Sequence, residues 1–402
     1  MAVAAETADL KTTRPSIYLD QWVWIRLASA AIGEPREPSD LHVLDAVRQA
    51  SQAGILFPLS VTHYHETARI THPRQRADLA RTMASISHCR TLCSGRILLR
   101  HQLLEAMHLS FGRPTFRPAP PQPLGIGLGW ALAGTRLLPQ LRGPSGPIDP
   151  ASRPWAADFL RKAGQFTEYQ LLAGPQDADV PELRRRGYRP EEVEKVSQSR
   201  VDWERFYAEL LAGDPISRAE LRVRVQAREI IHERHELLRD LCAEYHLDLL
   251  RATGVDPARP TASRRRMVAF ADRIPSVRIA VDVKVELFRN AARKWNLNTV
   301  HDIDAVSLAV PYCHAVVPDR EIADLMGRSK AGPRNGTHVL RGLRDLPDVL
   351  ADLTAQIEAP DGDPDGDPDG EDWVRDGEEF CMALADLGPP RLAHGTAAKL
   401  DL

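Results

Sequence analysis

The chain has 402 residues, room for two or three domains, and 43% of them are hydrophobic, the share of an ordinary globular protein with a core to bury. No stretch approaches the roughly 18 consecutive apolar residues of a membrane span, and the first 15 residues lack the apolar core of a secretory signal, so a cytoplasmic protein is expected. The net charge of −3 averages two unlike regions: residues 352–372 hold nine acids and no Lys or Arg, leaving the rest of the chain at +6.

Seven of the 52 basic residues are lysines, which leaves 45 arginines, permanently charged and able to fork onto phosphate. Five cysteines, at 89, 93, 242, 313 and 381, are too scattered for the disulfide frame of a small secreted domain and are expected to be reduced.

Residues 16–20, SIYLD, read as a short buried strand that ends in Asp20, followed by an apolar helical pattern, QWVWIRLASAA. A second amphipathic helix starts at Asp40 and stops at Gly54. ILFPLS (55–60) reads as another apolar strand, and VTHYHETARI as a helix with Ser60 or Thr62 as its N-cap. Apolar strands without a polar face, alternating with helices, predict a parallel sheet covered on both sides.

Residues 112–150 are dense in Pro and Gly and predict a long loop or linker. Residues 151–255 read as helices with apolar stripes among mixed charges. After 262 come short helices, then HDIDAVSLAVPYCHAVVPDR (301–320), a final strand over 336–343 and a closing helix. DGDPDGDPDG beyond Pro360 is low in complexity and predicts disorder.

Four acids stand where such a sheet converges. Asp20 ends the first strand, Glu66 lies early in the helix after the second, Asp304 opens a helix, and Asp319 follows HAVV. In an open parallel sheet the ends of successive strands share the edge where ligands bind. Gathered carboxylates repel one another and need a cation to stay ionised. An all-oxygen set with waters suits Mg²⁺ or Mn²⁺ better than zinc, and the expected chemistry is an activated water attacking a polarised phosphate. Asp302 is read as the helix N-cap and as a further metal-ligand candidate.

IYLD, FPLSVTHYHET and HDIDAVSLAVPYCHAVVPDR together resemble the acidic motifs of PIN domains, metal-dependent nucleases built as a three-layer α/β/α sandwich around a parallel sheet. The resemblance implies that Asp20 is the first acid, Glu66 the helix glutamate, Asp304 the third and Asp319 the fourth. It implies hydrolysis of the phosphodiester backbone, most often of RNA, with Mg²⁺ or Mn²⁺. Pro318 stands where the family often has Ser or Thr, and His314 where a further acid is common.

On this reading one α/β domain is split by a long, mainly helical insertion. Its first part covers 14–110, and a Pro/Gly-rich loop or linker follows over 111–150. The insertion spans 151–260, the second part 261–357, and the acidic tail 358–402. The alternative is a decayed PIN-like scaffold that acts through the insertion, whose helices are a possible protein-binding surface. Nothing in the sequence speaks to oligomeric state.

Other patterns invite weaker readings. Arg264, Arg265 and Arg266 open a run with nine basic residues against three acids between 261 and 294, a candidate phosphate-contacting rim beside the metal site. His63 and His65 are expected to be capping or solvated. His88, Cys89, Cys93 and His101 lack the second Cys pair of a zinc site. GIGLG at 125–129 shows neither the strand before nor the helix after it that a dinucleotide site needs, and the DGDPDG tract departs from a calcium loop at its eighth and twelfth places.

Overall fold

The structure, a computed structural model, describes residues 10–137, 142–143, 146–147, 154–212, 216–290 and 293–357. The acidic tail expected over 358–402, its low-complexity tract and Cys381 lie outside the described residues.

β1 (Ile17–Leu19) is buried along its whole length and is followed by α1 (Gln21–Ala31), α2 (Ser39–Gln52), α3 (Val61–Arg69) and α4 (Pro73–Ser87). Then come β2 (Arg90–Leu92), α5 (Gly95–Phe111), β3 (Leu124–Ile126) and α6 (Gly127–Ala133). The helical middle of the chain holds α7 (Pro154–Ala173), α8 (Val180–Arg185), α9 (Pro190–Ala212), α10 (Arg218–Arg228), a π-helical turn (Glu229–Glu233), α11 (His235–Glu244) and α12 (Leu249–Ala252). α13 (Pro260–Asp272), α14 (Pro275–Phe288) and α15 (Leu297–Tyr312) lead to β4 (Ala315–Val317), α16 (Arg320–Ser329), α17 (Ala331–Arg334), β5 (His338–Val339) and α18 (Leu346–Thr354).

The class expected from the sequence, α/β with a parallel sheet, is present in coarse form: a mostly helical chain around a small three-stranded parallel sheet in the order β1, β4, β5. Ile17 lies opposite Ala315 and Leu19 opposite Val317. Alternation decides the packing, because successive side chains of a strand point to opposite faces. Ile17, Leu19, Ala315 and Val317 join an apolar cluster with α1, α2, α4 and α18, whereas Tyr18 and Val316 join a second cluster with α14, α15 and α16.

The expected strand over 55–60 is not a regular strand. Pro58 has no amide to give to a ladder. The segment keeps two single parallel bridges, Leu56 beside Ser16 of the β1 edge and Leu59 beside Thr91 of β2. Their bonds run from the Ile17 N–H to the Leu56 carbonyl at 2.8 Å and from the Leu92 N–H to the Leu59 carbonyl at 2.8 Å. The last strand is also shorter than expected, His338–Val339 instead of 336–343.

The Pro/Gly-rich stretch is not all loop. β3 pairs antiparallel with β2, and α6 follows directly, so GIGLG does lie between a strand and a helix. A phosphate has no room there. Gly127 takes φ +83, and a Cβ on it would meet the Glu168 carboxylate, which accepts the Leu128 N–H at 2.9 Å. The chain's own carboxylate fills this helix start.

The helical middle is joined to the rest by packing and charge. Tyr169, Leu172 and Ala173 of α7 belong to the first cluster, and Val201 of α9 to the second. A third cluster unites α5, α10, α11, α13 and α14. At its edge Lys284 is buried with its Nζ 2.6 Å from Glu204 and paired also with Glu229. Arg228 pairs with Glu204 and, at 3.2 Å, with Glu233, while Arg234 reaches Glu229 at 3.4 Å. Buried charges persist only when so compensated.

Candidate active site

Asp20 is the N-cap of α1. Its carboxylate accepts the Gln21 N–H at 2.8 Å, and its own N–H donates to the Val317 carbonyl at 3.2 Å, tying the ends of β1 and β4 together. Asp319 is the N-cap of α16 and accepts the Ile322 N–H at 2.6 Å. Both acids therefore follow neighbouring parallel strands at the same edge of the sheet, as the sequence predicts. The Asp319 backbone amide lies near enough to the Asp20 carboxylate to favour its charged form.

Glu66 approaches from α3 and Asp302 from α15. Burial, and then the charge of Asp319, push the Asp20 carboxyl up to about 6, against the Gln21 hydrogen bond and the nearby Asp319 amide. Burial and the Asp20 charge push Glu66 up to about 7, opposed by Arg69. Asp302 rises to about 9, through burial and then the charges of Asp20, Asp319 and Glu66, opposed by Arg293. The charge of Asp319 thus reaches Asp20, that of Asp20 reaches Glu66, and those of all three reach Asp302, in a partly desolvated place.

Asp304 is not among them. α15 begins at Leu297 under the N-cap Asn296, whose side chain accepts the Thr299 N–H at 2.9 Å, so Asp302 is no cap and Asp304 no helix opening. Both lie inside the helix, and two residues turn the chain by about 200°, so they face opposite ways. Asp304 meets Arg200 of α9 in a two-pronged ion pair, Nη1 to Oδ2 at 2.6 Å and Nη2 to Oδ1 at 2.9 Å. Burial alone would raise its carboxyl, but the Arg200 charge and hydrogen bonds hold it below the ordinary range. The expectation that favoured Asp304 over Asp302 is reversed by the helix start, which lies several residues earlier than the apolar pattern suggests.

His63 caps α3 from inside the protein. Its Nδ1 accepts the Ser60 N–H at 2.9 Å, its Nε2 lies 2.9 Å from the Leu19 carbonyl, and burial drives it down to about 4, so it is a neutral structural histidine. His314 precedes β4, at the opposite end of the strand from Asp319, and its Nδ1 accepts the Ser16 N–H at 3.1 Å. It cannot stand in for an acid of the cluster.

The arginines of α13 remain on the surface. Arg264, Arg265 and Arg266 are exposed and Arg264 pairs with Glu220; the helix packs with α5, α10 and α14. Part of the basic run behind them is internal: Lys284 and Arg278 are buried, the latter bonded to Asn335 at 2.7 Å. Arg69, Arg200 and Arg293 escape sequence reading. Arg69 was detectable as the residue one turn after Glu66, but the other two reach the acid-bearing elements only through tertiary packing.

The donor set is all oxygen, acidic and partly dry, which suits a hard divalent cation. Among the described residues no three His, Cys, Asp or Glu side chains already stand where a single ion could take them all. Comparisons with protein-family models, curated proteins and solved structures return no match.

Proposed function

We propose that this chain is a metal-dependent nuclease, with RNA as the first substrate to try, built on a PIN-like α/β/α sandwich. The supporting observation is that burial and the charges of Asp20, Asp319 and Glu66 raise Asp302, and burial and Asp20 raise Glu66, beside the strand ends that carry Asp20 and Asp319. Taken with the bridged segment 55–59, the strands run β2, 55–59, β1, β4, β5, a doubly wound order whose switch falls at β1. Such folds bind ligands at the carboxyl ends of the strands beside that switch.

In this reading Asp20, Glu66, Asp302 and Asp319 hold Mg²⁺ or Mn²⁺. A cation held there would supply an activated water as nucleophile and would polarise the scissile phosphate. Asp20 and Asp319, each anchored by a backbone N–H at a helix start, are the fixed half of the site. Glu66 and Asp302, on helix faces, are the half that adjusts. Asp304 and Arg200 brace α15 from behind.

The test is cleavage of mixed RNA and DNA with Mg²⁺, Mn²⁺ or EDTA. Asp302→Asn is expected to lower the rate by about 10²-fold or more, of the order that electrostatic groups contribute, whereas Asp304→Asn is expected to act mainly on stability. Intact substrate under every condition, or equal rates for wild type and Asp302→Asn, would end the proposal.

A second reading, a decayed scaffold of the same fold, draws on the absence of a ready three-ligand set among the described residues and on the capping roles of Asp20 and Asp319. Mn²⁺ titration followed by thermal midpoint separates the two, since only a working site gains stability from the ion.

A further inference from the structure

Exposed apolar side chains gather on one face of α9. Val196 is 66% exposed, Trp203 47%, Phe206 50% and Leu210 56%. With the exposed Ser199 they repeat at alternating steps of three and four residues from 196 to 210, the seam of a helix that packs lengthwise against another. Trp203 packs edge-on to Phe206 and, at 5.0 Å, to His232 of the π-helical turn, which adds Ile231, 49% exposed, to the same patch. The opposite face of α9, with Val201 and Glu204, is already buried against the rest of the protein.

The charge on this face argues against a polyanion. The exposed flanks of α9 carry four acids, Glu192, Glu194, Asp202 and Glu209, against two bases, Lys195 and Arg205. A nucleic acid would be repelled, although exposed aromatics alone could stack on bases.

We infer that α9 is a self-association surface that pairs antiparallel with α9 of a second copy about a two-fold axis beside Trp203. In that register Val196 lies level with Leu210 of the second copy and Ser199 within one residue, about 1.5 Å, of its Phe206, so the small residue faces the large one. Lys195 falls within one turn of Glu209 of the second copy on the same flank, and two-fold symmetry makes the pair twice. Among the described residues Lys195 makes an exposed pair with Glu192 at 2.9 Å, with Glu191 adding to the charge around it, a weak hold that can be exchanged. Asp202 meets its own mate near the axis, where Arg205 at 3.4 Å and the Gln198 amide at 2.8 Å offset the charge. The seam is about 21 Å long at 1.5 Å per residue. It stands apart from the nuclease reading, and its test needs no substrate.

Sedimentation equilibrium of the full chain over a range of concentrations is expected to show a reversible dimer. The double variant W203E/F206E is expected to be monomeric with an unchanged far-UV spectrum, because both side chains are about half exposed in the single chain, and to lose the concentration dependence of the wild-type thermal midpoint. Lys195→Glu and Glu209→Lys are each expected to weaken the dimer by about three- to thirtyfold, two exposed ion pairs' worth, and K195E/E209K together to bring it back to within about twofold. A wild type that stays monomeric overturns the inference, as does a dimer that survives W203E/F206E. Failure of the double swap to restore association overturns the antiparallel register. A monomer whose single-stranded RNA affinity falls in W203E/F206E would assign the face to nucleic acid instead.

Discussion

Asp302 and Asp304 differ by two positions and by everything that matters to their chemistry. One is pushed up to about 9 by burial and like charges, the other held down by Arg200. A carboxyl raised in the folded state binds its proton more tightly there than in the unfolded chain, so stability falls as pH rises through the interval between the two values. For Asp20, Glu66 and Asp302 the decline begins near the ordinary carboxylate range, about 4, and ends near 6, 7 and 9 respectively. The metal-free protein is therefore expected to lose thermal stability between pH 5 and 9 in a way that Asp302→Asn reduces. At pH 8 that variant should be more stable than wild type by about 1–2 kcal/mol, a cautious fraction of the linkage free energy. Thermal melts of both proteins in EDTA check it, and an identical pH slope would mean that Asp302 is not desolvated among acids. The sequence shows the acids at both ends of its last motif but not which of them faces the others, because one turn's error in the start of α15 rotates the whole set.

The helical middle shows the same limit at the scale of elements. Its helices are legible from their stripes, but the charges that tie them to α14 are spread over some 80 positions. Lys284 sits between Glu204 and Glu229 with almost no access to water, and the π-helical turn brings Glu229 and Glu233 to the same place. π-turns commonly mark sites where a side chain must be re-aimed. Lys284→Met is expected to destabilise the fold by about 3–5 kcal/mol, because it removes the buried cation that Glu204 and Glu229 share and leaves each to one arginine. Chemical denaturation measures this, and a loss below about 1 kcal/mol would show that the neighbouring arginines suffice. Arg200 belongs to the rim of this network at 3.7 Å from Glu233, and through Asp304 it carries the network's rigidity to the back of α15.

Across the whole molecule, a cation bound by acids that repel one another in its absence should stabilise the folded state by mass action. Mn²⁺ at about 100 times its dissociation constant is expected to add about 2.7 kcal/mol in the wild type and little in Asp20→Asn. Differential scanning calorimetry tests it; equal shifts in both proteins would place the ion elsewhere. Among the described residues no helix is long and apolar enough to cross a membrane.

The sequence by itself determined the class of elements, the parallel pairing of the strands around IYLD and HAVV, and the candidacy of Asp20, Glu66 and Asp319. These follow from local facts: apolar runs too short for helices, acids at strand ends, and caps at helix starts. It marked HDIDAVSLAVPYCHAVVPDR as the acid-bearing unit but favoured Asp304, the carboxylate that pairs with Arg200, and it took 55–60 for a full strand despite Pro58. Only the tertiary structure decided that the charges of Asp20, Asp319 and Glu66 reach Asp302 while Arg200 claims Asp304, that Glu168 closes the helix start after GIGLG, and that α9 carries an exposed apolar seam. Each depends on partners tens of residues apart, and no local propensity encodes which distant side chain will arrive first.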